Sequence, residues 1–325
     1  MTQRTITVIL ILIVIGGLAW YINKTYIAKE GARPLDDNLE TTIAPGEIAE
    51  TLVYVSAGNV RDIWAWADQP RKIFTDADET EKILKLSNVL ADTGEVLAIV
   101  NQNTSASSGK LIKINLRNGQ KQTLQSDFPK PIYWAISDDG TKISYVLFSN
   151  VEENYGYTLY SSRVDGGHPQ KLFNSASEIK SPTWDNPGLN LAFISSEGTK
   201  VLLQVVDEKT AKVSPVKNFD NQTADWLVWQ GDGLLFSRRD IGANNGEVDF
   251  IQTDGENLEK IFDFQGGVVS YLWPSQDENY LAFLIAQYQE RIDDQTSGQI
   301  YNYNKNKNEK KALVKGSQIL GWVKE

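Results

Sequence analysis

The stretch "PIYWAISDDGTKISYV", residues 131–146, decides the fold. Two apolar runs flank Asp138-Asp139-Gly140. Glycine tolerates a left-handed backbone and aspartate bonds its own main chain, so the stretch reads as strand, tight turn, strand. The layout recurs in "LADTGEVLAIV" (90–100), "WDNPGLNLAFI" (184–194), "WQGDGLLFSR" (229–238) and "WPSQDENYLAFLI" (273–285), and "LGWVKE" closes the chain. With Leu90, Ile136, Trp184, Trp229, Trp273 and Trp322 taken as equivalent anchors, the spacings are 46, 48, 45, 44 and 49 residues. A period of this length holds about four short strands, the content of one propeller blade.

Most periods contain a second turn in phase with the first. "RNGQKQTL" (117–124), "DGGHPQKLF" (165–173) and "TDGENLEKIF" (253–262) each set Gly-containing turns before a further strand. The ends of the chain are complementary. Residues 50–56, 61–67 and 71–76 supply three strands with no anchor strand before them, and the tail around Trp322 supplies an anchor strand with no successors. Sharing one blade between the two ends removes the exposed sheet edges. The expectation is therefore an all-β chain, a six-bladed β-propeller of four-stranded antiparallel blades over residues 50–325, with a shared closing blade.

The N-terminus is different material. Nineteen uncharged residues, "TITVILILIVIGGLAWYIN", lie between Arg4 and Lys24, nearly enough helix to span a hydrocarbon layer of about 30 Å. Trp20, Tyr21 and Tyr26 fall where an interfacial aromatic belt is expected. A cleaved secretion signal fits less well, because no small-x-small pattern follows the apolar run; a buried soluble helix is the third reading. The expected organisation is a short tail (1–5), a transmembrane signal-anchor helix (6–23), a stalk (24–49) with no hydrophobic period over 34–49, and the propeller. By a strict count of flanking cations, Lys24, Lys29 and Arg33 after the segment against Arg4 before it place the large domain in the cytoplasm.

The 325 residues carry a net charge of −10. Residues 1–33 hold four basic side chains and Glu30, so residues 34–325 carry −13. Such a domain repels polyanions, which argues against nucleic acid as a partner. The basic stretch "NKNKNEKK" (304–311) falls where a hairpin tip is expected. Cysteine is absent and His168 is the only histidine, in an expected turn. Thiolate chemistry and clusters of several imidazoles are thus excluded, and any Ser-His-Asp site would have to use a turn residue. No cofactor motif is present, and the aspartates of the repeated turns have structural work there, so the chain reads as non-enzymatic.

The core of these repeats resembles the TolB-like propeller repeat, approximately W-S-P-D-G-x-x-I-A-F. "ISDDGTKISYV" matches it with Ile136 for the Trp and Asp138 for the Pro, and "WDNPGLNLAFI" keeps the Trp and the Ala-Phe ending. The resemblance covers about residues 50–325. It implies an exported or periplasmic propeller used as a docking platform for envelope proteins, and it is the ground for placing the domain outside the cytoplasm. The family's founding protein also has an N-terminal α/β domain, where this chain has an apolar segment and stalk.

Irregular features carry more functional information than repeated ones. Loops between second and third strands differ in every blade and share one rim with the inter-blade crossovers. Tyr155, Arg238, Arg239, Asp240, Arg291, Asp293 and Asp294 are the candidate partner contacts on that rim. The expected function is a non-catalytic, membrane-tethered scaffold for an envelope protein. The alternative is a glycan-binding or carbohydrate-active propeller using Trp64, Trp66, Trp134 or Trp226, the tryptophans outside the anchor series, with paired acids. A third reading is a plain structural spacer.

Overall fold

Each Asp/Gly turn singled out in the sequence joins two antiparallel strands in the computed structural model. The structure describes residues 50–324 apart from 58–61, 68, 76–79, 104, 152–154 and 287–296. The chain divides into two units, Met1–Glu47 and Ile48–Glu325. The expected anchor and stalk lie outside the described residues. Among the described residues no helix is long and apolar enough to cross a membrane.

The strands run β1 (Glu50–Ser56), β2 (Asp62–Trp66), β3 (Pro70–Thr75), then β4 (Lys82–Leu90), β5 (Glu95–Asn101), β6 (Ser108–Asn115) and β7 (Lys121–Pro129). Next come β8 (Tyr133–Ile136), β9 (Lys142–Ser149), β10 (Gly156–Arg163) and β11 (Gln170–Ser175), followed by β12 (Lys180–Trp184), β13 (Asn190–Glu197), β14 (Lys200–Asp207) and β15 (Lys212–Asp220). The last are β16 (Gln222–Gln230), β17 (Gly233–Asp240), β18 (Asn245–Gln252), β19 (Glu259–Gln265), β20 (Val268–Pro274), β21 (Tyr280–Ala286), β22 (Gly298–Asn304) and β23 (Glu309–Lys324). Four sheets are four-stranded meanders, and the fifth has seven strands in the order β20-β21-β22-β23-β1-β2-β3.

The long strand β23 explains the seven. From Glu309 to Gly316 it pairs with β22, and from Gly316 to Lys324 it pairs with β1. Gly316 is opposite both Gly298 and Ser56, at the handover. A Cβ there would stand 2.5 Å from Ile300 Cδ1 and 3.0 Å from the Val55 carbonyl, so only glycine fits this crossing. Trp322 pairs with Leu52, which brings the last anchor beside the first strand as expected. The innermost strands touch in the cyclic order β4, β8, β12, β16, β20, β23 and back to β4. This is an all-β, propeller-like arrangement consistent with a blade shared by both chain ends.

The turn at 137–140 shows why the repeat has its composition. The Ser137 hydroxyl donates to Asp139 Oδ1 at 2.6 Å and accepts from the Lys142 amide at 3.0 Å. Gly140 has φ 69° and sits so close to Leu90 of the neighbouring sheet that a Cβ would lie 2.8 Å from Leu90 Cδ1. The β20–β21 hairpin repeats the serine–aspartate bond through Ser275 and Asp277 at 2.6 Å. There Glu278 takes the left-handed position with φ 59°.

The core lies between neighbouring sheets. Phe193, Phe236, Phe264 and Phe283 are fully buried in it. Adjacent inner strands are joined by side chains in place of a backbone ladder. Asn88 exchanges two hydrogen bonds with the main chain of Ile136, and the Ser181 hydroxyl does the same with Leu227. The Trp134 indole donates to the Leu86 carbonyl at 2.9 Å. Gln318 donates to the same Leu86 carbonyl at 3.0 Å, so side chains from both neighbouring inner strands meet there.

Candidate functional site

The first and third turns of each meander lie on one end of the ring, and the remaining loops and crossovers lie on the other. On the loop side opens a cavity of about 1230 Å³. Four consecutive sheets build most of it: Pro129 and Lys130 leave the first, Tyr133 and Phe148 belong to the second, Lys180 and Lys200 to the third, and Asp225, Arg239 and Ile241 to the fourth. Ile132 and Tyr133 line both this mouth and a narrow channel of about 70 Å³ beneath it, to which every innermost strand contributes. Trp134, Trp226, Tyr271 and Trp273 fill that narrow part. β1 begins at the other end, where the Glu50 carboxylate accepts from the Gln276 amide at 2.9 Å in the β20–β21 turn.

The polar groups of the throat satisfy one another. Tyr133 donates to Glu178 Oε1 at 3.3 Å, and Lys180 stands 3.6 Å from the same carboxylate. Burial, reinforced by the Glu178 charge, pushes the Tyr133 hydroxyl well above the usual phenol range, so it stays protonated and donating. The Arg239 guanidinium grips Asp225 at 2.8 and 3.3 Å and donates to the Ala243 carbonyl at 3.0 Å. Both members of that pair are almost fully buried, with side-chain exposures of 6% and 5%.

The expected rim residues divide. Arg238, Arg239 and Asp240 were expected in a loop, but the β17–β18 ladder runs on to the Arg238–Glu247 pair and β17 ends only at Asp240. Arg238 turns inward. It binds the buried Asp249 through Nε, Glu247 at 2.8 Å and Gln222 at 2.9 Å, and its guanidinium covers Phe219. Asp240 is exposed and accepts from Gln222 at 3.2 Å. Tyr155 is exposed at the mouth's edge, its ring 5.7 Å from that of Phe148. Arg291, Asp293 and Asp294 lie outside the described residues.

The anchors Leu90, Ile136, Trp184, Trp229, Trp273 and Trp322 all fall at or near the C-terminal ends of inner strands. Trp64 and Trp66 pack, partly buried, against the core beneath the seven-stranded sheet. His168 is an exposed turn residue with φ 54°. Among the described residues no group of three or more His, Asp or Glu side chains is placed to hold a metal ion.

Sequence reasoning missed Lys130, Phe148, Glu178, Lys180, Lys200 and Asp225. Lys180 and Asp225 each stand four residues before an anchor tryptophan, Trp184 and Trp229, at the mouth end of an inner strand. That offset from the anchor is the signal that locates a mouth residue.

No protein-family model matches the chain. A segment of 74 residues is 39% identical to the Tol-Pal system protein TolB of Coxiella burnetii, covering 22% of this chain and 17% of that one. This chain is distantly related to the TolB-like propellers. The corresponding protein of Legionella pneumophila is 25% identical over 156 residues, 46% of this chain and 36% of its own length. The matches thus span well under half of these relatives. Among solved structures, TolB from Acinetobacter baumannii superposes with a TM-score of 0.63 at 12% identity, over 86% of this chain and 68% of that one. A chain of the Nidogen/Laminin complex gives 0.58 at 10% identity, over 84% and 97%. At such identities the likeness is one of fold.

Proposed function

We propose that the chain is a six-bladed propeller, tethered to a membrane by residues 6–23 on a stalk (24–49), that docks an envelope protein outside the cytoplasm without catalysis. The observation that carries this reading is the mouth. Its volume of about 1230 Å³ exceeds the roughly 300–1,000 Å³ of ordinary ligand pockets. It is lined by Phe148 and Ile241, and Tyr155 packs against Phe148, large apolar side chains exposed by 43–59%. Exposed apolar side chains around a rigid concave surface suit a protein partner. The distant TolB relatives, named as Tol-Pal system proteins, support the same class of work.

The glycan alternative draws less support. Trp134 and Trp226 line the channel where it holds only about 70 Å³, below the size of a ligand pocket. The nearby acids, Glu178 and Asp225, are committed to Tyr133, Lys180 and Arg239.

The test is chemical crosslinking in intact membranes, comparing the wild type with a Phe148→Glu, Tyr155→Glu variant whose melting temperature is unchanged. A specific partner present in the wild type and lost in the variant supports docking. No partner in either overturns it, and reproducible binding or turnover of a cell-wall oligosaccharide would then favour the glycan alternative. For the tether, protease added to spheroplasts should degrade the propeller; protection until the membrane is lysed would place it in the cytoplasm.

A further inference from the structure

We infer that the mouth selects an acidic, extended peptide segment in which the acid is flanked by apolar side chains. The inference rests on the docking reading and names the chemistry of the partner. Four cations line the mouth, Lys130, Lys180, Lys200 and Arg239, against three acids, Asp127, Glu178 and Asp225. The lining is therefore an island with one cation in excess, in a chain of net charge −10. A concave, partly apolar wall concentrates the field of such an island on whatever enters.

The internal pairs leave Lys130, Lys200 and the exposed Asp127 to meet a partner. Asp225 is consumed by Arg239, and Glu178 by Tyr133 and Lys180. Lys130 has no side-chain partner among the described residues. Lys200 reaches Asp220 only at 3.9 Å, with both groups more than half exposed, a contact worth little in water. These two ammonium groups are the ones an incoming carboxylate meets at small desolvation cost.

The apolar contacts set the order along the segment. Phe148, with Val151 and Tyr155, stands on the loop side of the β8–β11 sheet, Lys200 begins β14 in the next sheet, and Ile241 follows β17 in the one after. A segment crossing three neighbouring sheets thus meets apolar, cationic and apolar surface in turn. Phe148 is braced by Tyr155 at 5.7 Å and by Tyr157 at 4.9 Å between ring centroids. The Phe148 ring is engaged by Tyr155 and Tyr157, and across the mouth Ile241 is aliphatic with no flat face for a sugar ring, so an acidic peptide fits this border better than an acidic saccharide.

The test uses the full chain in mild detergent and fluorescence anisotropy with three labelled peptides. One has central glutamates flanked by leucine and phenylalanine; the others replace the glutamates by glutamine or by lysine. The acidic peptide should bind about tenfold more tightly than the glutamine analogue at about 50 mM salt, the gap closing at about 500 mM. The Lys130→Glu, Lys200→Glu variant, with both sites on the surface, should melt as the wild type does and lose about tenfold for the acidic peptide alone. Equal or tighter binding of the glutamine or lysine analogue, or an unchanged affinity in the variant, overturns the inference. Acid selection fails alone if peptides are not discriminated while the membrane crosslink persists in the wild type and is lost on Phe148→Glu, Tyr155→Glu. Absence of any crosslinked partner overturns the docking reading and this inference with it.

Discussion

The Trp322 indole donates to the Trp273 carbonyl at 3.1 Å, and the Trp273 indole donates to the Ile319 carbonyl at 3.2 Å. Two anchors one period apart are thereby tied across the junction where the end of the chain meets its neighbour. Trp322 is buried and pairs with Leu52, so one side chain joins both ends of the ring. Trp322→Ala should cost about 3–5 kcal/mol in urea unfolding, the range for deleting a large buried aromatic. Deleting residues 317–325 should lower the melting temperature of the whole ring by reopening an edge. An unchanged melting temperature would mean that closure contributes nothing.

Arg238 matters through the charge it covers. Asp249 is fully buried, accepts from Arg238 through Oδ2, and has no hydrogen-bond partner at Oδ1 among the described residues. Burial raises its carboxyl pKa against the pull of Arg238. Arg238→Ala should therefore destabilise by about 3–5 kcal/mol at neutral pH, as expected when a buried carboxylate loses its cation. Adding Asp249→Leu should restore much of that loss. A single variant within about 1 kcal/mol of the wild type would show that Asp249 is not charged there.

Much of this architecture is legible in the sequence because its turns repeat in phase. Asp139 and Gly140 announce a hairpin whose geometry they then supply, and the split ends announce the β1–β23 pairing. The departures have local causes. Glu278 occupies a left-handed position without being glycine, which the serine–aspartate bond of Ser275 and Asp277 helps to hold. Arg238 and Arg239 looked like loop cations, but their ladder continues and their guanidiniums face acids supplied by neighbouring strands. Lys130 and Glu178 lie in two different crossovers and Asp225 in β16, and no local pattern foretells their meeting at the mouth.

The turn end of the ring carries a pH dependence. Partial desolvation in this exposed turn, then the charges of Asp139, Asp185 and Asp92, raises the Asp138 carboxyl to about 6. A folded-state value above the unfolded one means that folding takes up protons between about pH 4 and 6. The contribution of Asp138 to stability is therefore present at low pH and lost as pH rises through that window. Asp138→Asn should raise the melting temperature at about pH 7.5 and leave it nearly unchanged at about pH 4. An equal effect at both pH values would contradict the assignment to Asp138.

The central claim is that partners dock at the mouth. Its most direct test is site-specific photocrosslinking in intact membranes, with the photoreactive residue placed at Phe148 or at Leu189. Leu189 is 59% exposed and lies in the β12–β13 turn on the opposite end of the ring. The account predicts a discrete crosslinked partner from position 148 and none from position 189. Crosslinking from position 189 alone, or the same products from both positions, would contradict it.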